Sequence, residues 1–381
     1  MRSIDRFVGI PLCWFLNIWK LFVPIRRFAL AENNVKHVLV IKFFGMGSII
    51  LLTPALREIH KRFPNATISF LSFSSQKELL KRLPFIDSIF TISTSTFDDF
   101  LRDTINTVRM FKKMNFEIVF DFEFFSKFST ILSTLTNAPQ RYAFALPTQW
   151  RKFHVTHAIP LNKLHHVAKA FLAQVSAETF DRVALVLAAP QILESDEISL
   201  EYSIKTLFQF EIKKKTIVCI NVNAGNTFLE RRWSGEKFVE LAQTTFDDST
   251  LYFFIGHSSE YDYVEQIVSK IQRKNVFNIA GKILFGELLA LLRRARLLLT
   301  NDSGPLHLAS ALGTRTLSLF GPESPEFYGP IGTRNEVLYK KISCSPCMNI
   351  YNAKTFICPY SARCMREISV EEVRVKINAL L

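Results

Sequence analysis

Glycine is scarce in this chain, at 13 of 381 residues, and acidic residues are outnumbered, 34 Asp and Glu against 47 Lys and Arg, giving a formal charge of +13. No run of about 18 uncharged apolar residues occurs, which excludes a polytopic membrane protein. So little glycine excludes a collagen-like repeat, and an apolar content of 48% excludes a largely disordered chain or a disulfide miniprotein. Short internal repeats and low-complexity tracts are also missing. What is present is ample apolar surface, including 36 Phe, in a length that suits two domains of ordinary size. The positive excess points to anionic partners: phosphorylated ligands, acidic lipid headgroups or nucleic acid. Because the charge is scattered rather than gathered into an Arg/Lys and aromatic stripe, nucleic acid is disfavoured.

Residues 1–35 open the chain with Phe7-Val-Gly-Ile-Pro-Leu-Cys-Trp-Phe-Leu-Asn-Ile-Trp19, flanked by Arg2, Arg6, Lys20, Arg26 and Arg27. Short, apolar, edged with Trp and basic on both sides, it reads as a helix lying in the headgroup region of an anionic membrane. A helix packed on the protein's own surface is the plainer alternative. A signal peptide ending at Ala29-Leu-Ala31 is opposed by the two arginines just before it.

From His37 the pattern becomes an alternation of buried strands and helices. Strands are expected at 37–44, 67–71, 86–92 and 117–121, with helices at 48–62, 97–114 and 126–135. Residues 161–210 read as mainly helical. A second series begins at Thr216 and continues through strands at 251–255, 276–279, 297–300 and 314–320, with helices at 235–245, 261–273, 286–294 and 305–312. Strand–helix–strand units with short links build parallel sheets covered on both faces. The expectation is an α/β protein of two doubly wound domains, 36–200 and 212–340, joined near 190–215, with a cysteine-rich segment and closing helix at 341–381. Such domains place ligands at the carboxyl ends of their strands, in the cleft between them.

The most informative stretch runs from Thr300 through Asp302, Ser303, Gly304 and Pro305 to His307 and Gly313. A strand ends there and Pro305 suits the first turn of a helix. Backbone N–H groups at the helix start, with the Ser303 hydroxyl, make a ready diphosphate site; simple capping by Asp302 or Ser303 is the alternative. Upstream, Asn223-Ala-Gly225-Asn follows a strand, and Arg231 and Arg232 offer guanidinium forks for phosphate, with Trp233 in the same loop. Glu260 reads as a ribose-hydroxyl acceptor or as a carboxylate at a helix start.

In the first half, Gly45-Met-Gly47-Ser48 lacks the third glycine of a dinucleotide fingerprint. It still brings backbone close to a ligand and starts a helix with Ser48. Asp121 and Glu123, two apart at a strand end, share a face. Either is a candidate general base, or else a capping or salt-bridged group. At the other end of the chain, Cys344, Cys347, Cys358 and Cys364 stand as C-x2-C-x10-C-x5-C. They suit a structural zinc site, two disulfides or free thiols.

Taken together, Leu39-Val-Ile-Lys42, Thr53-Pro-Ala-Leu-Arg57, Arg231-Arg-Trp233, Asp302-Ser-Gly-Pro-Leu-His-Leu-Ala309, Leu319-Phe-Gly-Pro322 and the terminal Cys-x-Pro-Cys347 resemble glycosyltransferase family 9, the heptosyltransferases of lipopolysaccharide assembly. The resemblance spans about Val38 to Val373. It implies a GT-B fold, with the acceptor on the N-terminal domain and a nucleotide-diphosphate sugar on the C-terminal one. It also implies an inverting transfer of a heptose-like sugar that requires no metal or other cofactor. On this reading Asp302, Ser303, Gly304 and the helix amides hold the diphosphate, and Arg231 stands where the family has a lysine that offsets charge on the leaving group. The family's first loop usually carries an aspartate where this chain has Ser48. A hydroxyl is too weak a base to replace it, so Glu123 and then Asp121 become the candidates. The resulting expectation is a transferase, cytoplasmic and peripheral on the inner face of the membrane, acting on a lipid-linked or cell-surface glycan. A non-catalytic relative that binds a sugar nucleotide or glycan as a scaffold is the alternative.

Overall fold

A computed structural model describes residues 32–124, 126–144, 155–176, 180–225, 228–349 and 357–381. The apolar segment expected to form an N-terminal helix lies, up to residue 31, outside the described residues. Among the described residues no helix is long and apolar enough to cross a membrane. The chain divides into two compact units that part between Leu185 and Val186.

Unit 1 contains β1 (His37–Ile41), α1 (Met46–Arg62), β2 (Thr67–Phe73), α2 (Lys77–Leu80), β3 (Ser88–Ile92), α3 (Phe97–Met114), β4 (Ile118–Asp121), α4 (Lys127–Leu135), β5 (Gln140–Phe144), β6 (His157–Ile159) and α5 (Val167–Val175). The sheet is wholly parallel, in the order β3-β2-β1-β4-β5-β6. Its central strands are apolar on both faces because helices cover both. Helix α1 contains the Thr53-Pro54 pair. Proline brings no N–H to the carbonyl of Ile50 four residues back, and the Thr53 hydroxyl donates to that carbonyl instead, at 2.7 Å. The helix therefore continues through Pro54 with the buried carbonyl satisfied.

Unit 2 contains α6 (Glu194–Phe208), β7 (Thr216–Asn221), α7 (Gly235–Thr245), β8 (Thr250–Phe254), α8 (Tyr261–Val268), β9 (Val276–Asn278), α9 (Phe285–Arg294), β10 (Leu297–Asn301), α10 (Gly304–Leu312), β11 (Arg315–Phe320), α11 (Pro325–Tyr328), β12 (Asn335–Tyr339), α12 (Arg363–Arg366) and α13 (Val370–Leu380). Helix α6, expected to end the first domain and join it to the second, belongs to unit 2. Ser199 and Ser203 donate to the Glu287 carboxylate on α9, and Arg294 pairs with Glu201 at 3.2 Å. The second sheet is also wholly parallel, in the order β12-β11-β10-β7-β8-β9.

Numbered within each unit, both sheets read 3-2-1-4-5-6, the doubly wound order. The order reverses between β1 and β4 in unit 1 and between β7 and β10 in unit 2. At such a reversal the two neighbouring strand exits diverge and leave a crevice, so these exits are where each unit's site is to be sought.

Candidate functional site

In unit 2 the reversal point brings together the exits of β7 and β10, followed by α10. Ser303 stands at the N-cap of α10 with an extended backbone, but its side chain makes no cap hydrogen bond. Its hydroxyl is drawn back under the strand ends, where Asn221 Nδ2 lies 2.8 Å away and Thr300 Oγ1 2.9 Å away. Asp302 does not cap either, because its carboxylate faces Arg231 Nη1 at 3.2 Å. Simple capping therefore fails as an account of this sequence. Among the described residues the helix starts with no side chain on its first amides and with Pro305 in its first turn, which leaves the Gly304 and Leu306 N–H groups without an intrahelical partner.

Arg231 closes one side. Its Nη1 also meets the Asp302 carbonyl at 3.3 Å and its Nη2 donates to the Ala224 carbonyl. Gly225 turns the chain there with φ of +69°, a left-handed conformation that glycine adopts without strain. Burial pushes the Asp302 carboxyl above its ordinary range, and Arg231 opposes that rise.

Asn223, at the exit of β7, is 2% exposed, and neither atom of its side-chain amide has a hydrogen-bond partner among the described residues. A buried amide left unmatched costs about 1–3 kcal/mol, which makes Asn223 a candidate for pairing with a ligand group. Gly256, at the exit of β8, makes room for it. A Cβ there would lie 2.9 Å from Asn223 Nδ2 and 3.3 Å from Glu260 Oε2. Glu260 accepts from His257 N at 2.9 Å, so one of its oxygens serves the turn into α8. His307 is buried in the first turn of α10.

Two residues expected at the donor site are turned elsewhere. Trp233 is fully buried (0% exposed): its indole N–H donates to Ile368 O at 2.9 Å, its backbone N–H to Asn301 Oδ1 at 3.0 Å, and its ring meets Phe238 edge-on. It fastens the Arg231 loop to the core and does not line a ligand. Arg232 stacks its guanidinium on the Tyr263 ring, 4.4 Å from the centroid.

In unit 1 the reversal point carries the expected carboxylates, both sealed. Glu123 Oε1 accepts from Lys42 Nζ at 2.9 Å, Phe43 N at 2.6 Å and Phe44 N at 3.0 Å. Asp121 accepts from Glu123 N at 3.0 Å and from the Ser129 hydroxyl at 2.8 Å. Gly47 is buried and Ser48 half-buried in the first turn of α1, after Gly45 with φ of +85°. No carboxylate hydrogen-bonds the Ser48 hydroxyl among the described residues, so nothing there activates it. The carboxylates as found organise the loop from β1 to α1.

The four C-terminal cysteines are free thiols. Among the described residues no group of three or more His, Cys, Asp or Glu is placed to hold a metal ion, so the zinc site expected at Cys344, Cys347, Cys358 and Cys364 is not supported. Cys364 is instead packed in the core, where burial pushes its thiol up to about 11. The segment grips the loop after β11: Cys347 N and Met348 N both donate to Pro322 O, at 3.0 and 2.8 Å. Sequence reading missed this brace and also missed Glu323, a buried carboxylate beside Asp302.

Comparison with known proteins agrees with this geometry. A family model described as glycosyltransferase family 9 (heptosyltransferase) matches residues 108–355. A lipooligosaccharide heptosyltransferase 2 from Campylobacter jejuni is 22% identical over 341 residues, covering 88% of this chain and 95% of that protein. Lipopolysaccharide heptosyltransferase 3 of Escherichia coli K12 is 23% identical over 74% of this chain and 82% of its own. Among solved structures, a family 9 glycosyl transferase from Veillonella parvula has a TM-score of 0.73 at 22% identity, covering 92% of this chain and 98% of that one. ADP-heptose lipopolysaccharide heptosyltransferase II of E. coli has a TM-score of 0.71 at 18% identity, over 90% and 98%. At these identities the two structures establish the fold.

Proposed function

As the chain belongs to glycosyltransferase family 9 and is a glycosyltransferase, we propose that it moves a heptose-like sugar from a nucleoside diphosphate donor to a lipid-linked or cell-surface glycan acceptor in lipopolysaccharide assembly. The observation that carries this reading is the uncapped start of α10, with Arg231 beside it and the unmatched Asn223 amide close by. Helix amides and a guanidinium suit a diphosphate, and a buried amide suits the polar edge of a nucleoside. The names of the relatives supply the sugar class, and the E. coli ADP-heptose enzyme makes ADP the first nucleotide to try.

The transfer inverts the anomeric carbon. The acceptor oxygen bonds to that carbon as its bond to the diphosphate breaks; the electron pair leaves on the diphosphate, and the acceptor proton passes to a base. Arg231 offsets the charge that grows on the leaving group, so the proposed reaction requires no metal cofactor. Glu123, with Asp121 behind it, is the candidate base, its Oε1 held by Lys42 and two amides. As found, it braces the β1–α1 loop. Family membership disfavours the non-catalytic scaffold. The excess of basic residues, 47 against 34 acidic, supports a peripheral position on the anionic inner face of the membrane, where lipid-linked acceptors lie.

The test is a thermal-shift screen with ADP, GDP and UDP, followed by turnover of the corresponding sugar nucleotides with membranes present. One nucleotide at about 100 times its Kd stabilises the fold by about 2.7 kcal/mol, and its sugar donor is consumed. Failure of all three to bind or turn over refutes the reading.

A further inference from the structure

Past β11 the chain runs Phe320-Gly-Pro-Glu323, and the backbone of that loop is clamped from several sides. Asp302 N donates to Leu319 O at 3.1 Å, which keeps the β10 and β11 exits side by side. Ser345 Oγ donates to Gly321 O, and Pro322 O accepts the two amides of the cysteine segment. A Cβ on Gly321 would lie 2.5 Å from Met365 Sδ and 3.0 Å from Cys364 Sγ, so the loop is pressed flat against that segment. Glu323 is thereby held 5% exposed, with one oxygen accepting Ser324 N at 2.9 Å. The charged groups acting on it are Asp302 and Arg231.

With Asp302 and Glu323 both ionised, the single Arg231 guanidinium leaves this corner with a net negative charge, at the strand exits where the donor-site reading puts an anionic diphosphate. A single proton on one carboxylate removes the conflict and turns an acceptor into an O–H donor. Asp302 is bound to Arg231, which favours its ionised form; Glu323 has no such partner at hydrogen-bond distance among the described residues. We propose that Glu323 is a donor-binding residue that works as a carboxylic acid, its O–H donating to a diphosphate oxygen while Asp302 remains ionised against Arg231. Burial, reinforced by Asp302, pushes Glu323 up to about 8, so the acid form prevails at neutral pH. The inference rests on the donor-site reading above.

The experiment is calorimetric titration of the full-length protein with ADP, or with GDP or UDP if one of those is the nucleotide bound, from pH 7 to pH 9 in EDTA. The terminal phosphate of the nucleotide ionises near pH ~6, so it is about nine-tenths ionised at pH 7 and the charge of ADP changes little across this range; with GDP or UDP, whose base N–H begins to ionise near pH ~9, the Glu323→Gln profile serves as the baseline. Kd should rise about tenfold between pH 7 and 9, the factor expected when a proton with a pKa near 8 must be retained. Glu323→Gln keeps an N–H donor and carries no charge; it should bind at pH 7 within about threefold of the wild type and show no pH slope. Glu323→Ala loses both the donor and the charge, so it should bind more weakly than the wild type at pH 7 and show no pH slope. A flat wild-type profile overturns the proposal. So does a slope that survives in Glu323→Gln, which would assign the proton to another group, the neighbouring Cys347 and Cys364 thiols included. If no nucleotide binds at any pH, the donor-site reading fails and the proposal with it. Binding without a pH slope defeats only the proposal.

Discussion

Replacing Lys42 by Met tests what the first unit's carboxylate is for. The Lys42 and Glu123 side chains are 3% and 2% exposed and meet at 2.9 Å. Removing the ammonium leaves the carboxylate buried without its counter-charge, a change that typically costs about 3–5 kcal/mol. Glu123 keeps the Phe43 and Phe44 amides at 2.6 and 3.0 Å, and hydrogen bonds to a charged group are worth about 1.5–3 kcal/mol each. The expected cost is therefore at the low end, about 3 kcal/mol, or a fall in melting temperature on the order of 10 °C for a domain of this size. Glu123→Gln strands the ammonium instead and should cost at least as much. In the double variant neither charge is orphaned, so about 2 kcal/mol should return, a coupling that a double-mutant cycle reads directly. Urea unfolding followed by circular dichroism, with sugar transfer measured alongside, is the assay. A Lys42→Met variant within about 1 kcal/mol of wild type, or strictly additive costs, would refute the brace. So would a Glu123→Gln variant of unchanged stability whose transfer rate drops by about 10²–10⁴, the signature of a lost general base.

Three further outcomes follow from single contacts. Thr53→Val removes the hydroxyl that satisfies Ile50 O below Pro54 and should cost about 1–3 kcal/mol in urea unfolding, whereas Thr53→Ser should cost far less. Gly256→Ala puts a methyl group 2.9 Å from Asn223 Nδ2; displacing that amide should weaken nucleotide binding about tenfold in titration calorimetry, with little effect on melting temperature. Glu372, at the start of α13, is held down to about 2 by the Lys340 hydrogen bond and the Ser369 amide. Its folded-state value lies below its ordinary one, so its contribution is present above pH ~4.5 and is lost as pH falls toward 2. Because the group is largely solvated, Ser369→Ala should cost only about 1 kcal/mol at pH 7.

Strands buried on both faces were legible in the sequence, because runs such as His37–Ile41 and Thr216–Asn221 are apolar and end at polar residues. Three outer strands, β5, β6 and β12, were not. β5 begins Gln140-Arg141, β6 is three residues long, and β12 is Asn-Glu-Val-Leu-Tyr with no fully buried position, so none shows a hydrophobic period. Asp302, Ser303 and Arg231 were legible as a site because the strand-to-helix junction gives them a purpose. Arg232 and Trp233 were misplaced because order within a loop does not fix side-chain direction: Arg231 closes a short 3-10 helix, Leu229–Arg231, after which Arg232 stacks on Tyr263 and Trp233 enters the core. Glu323 escaped notice because a lone Glu in a Gly-Pro turn looks like surface. Only the folded chain shows Met365 and Cys364 pressing on Gly321 and sealing the carboxylate beside Asp302.

The two units repeat one strand order, yet their reversal points carry different chemistry, and that difference supports the proposal that the nucleotide sits in unit 2. In unit 1 the crevice amides of Phe43 and Phe44 are already taken by Glu123, whose charge is balanced by Lys42. An anion arriving there meets a buried carboxylate beside the α1 start, which among the described residues also bears no side-chain cap. Among the described residues of unit 2 the corresponding helix start has no cap either, but Arg231 stands beside it, paired with one carboxylate at contact distance, and the Asn223 amide is unmatched. Hydrogen exchange should register this asymmetry. Saturating nucleotide should slow exchange at the Gly304 and Leu306 amides by tenfold or more, since about 1.4 kcal/mol of added protection is a factor of ten. The Phe43 and Phe44 amides should exchange slowly with or without nucleotide. Protection that appeared at residues 43–46 on nucleotide addition, with none at 304–306, would place the donor in the other unit and overturn the assignment.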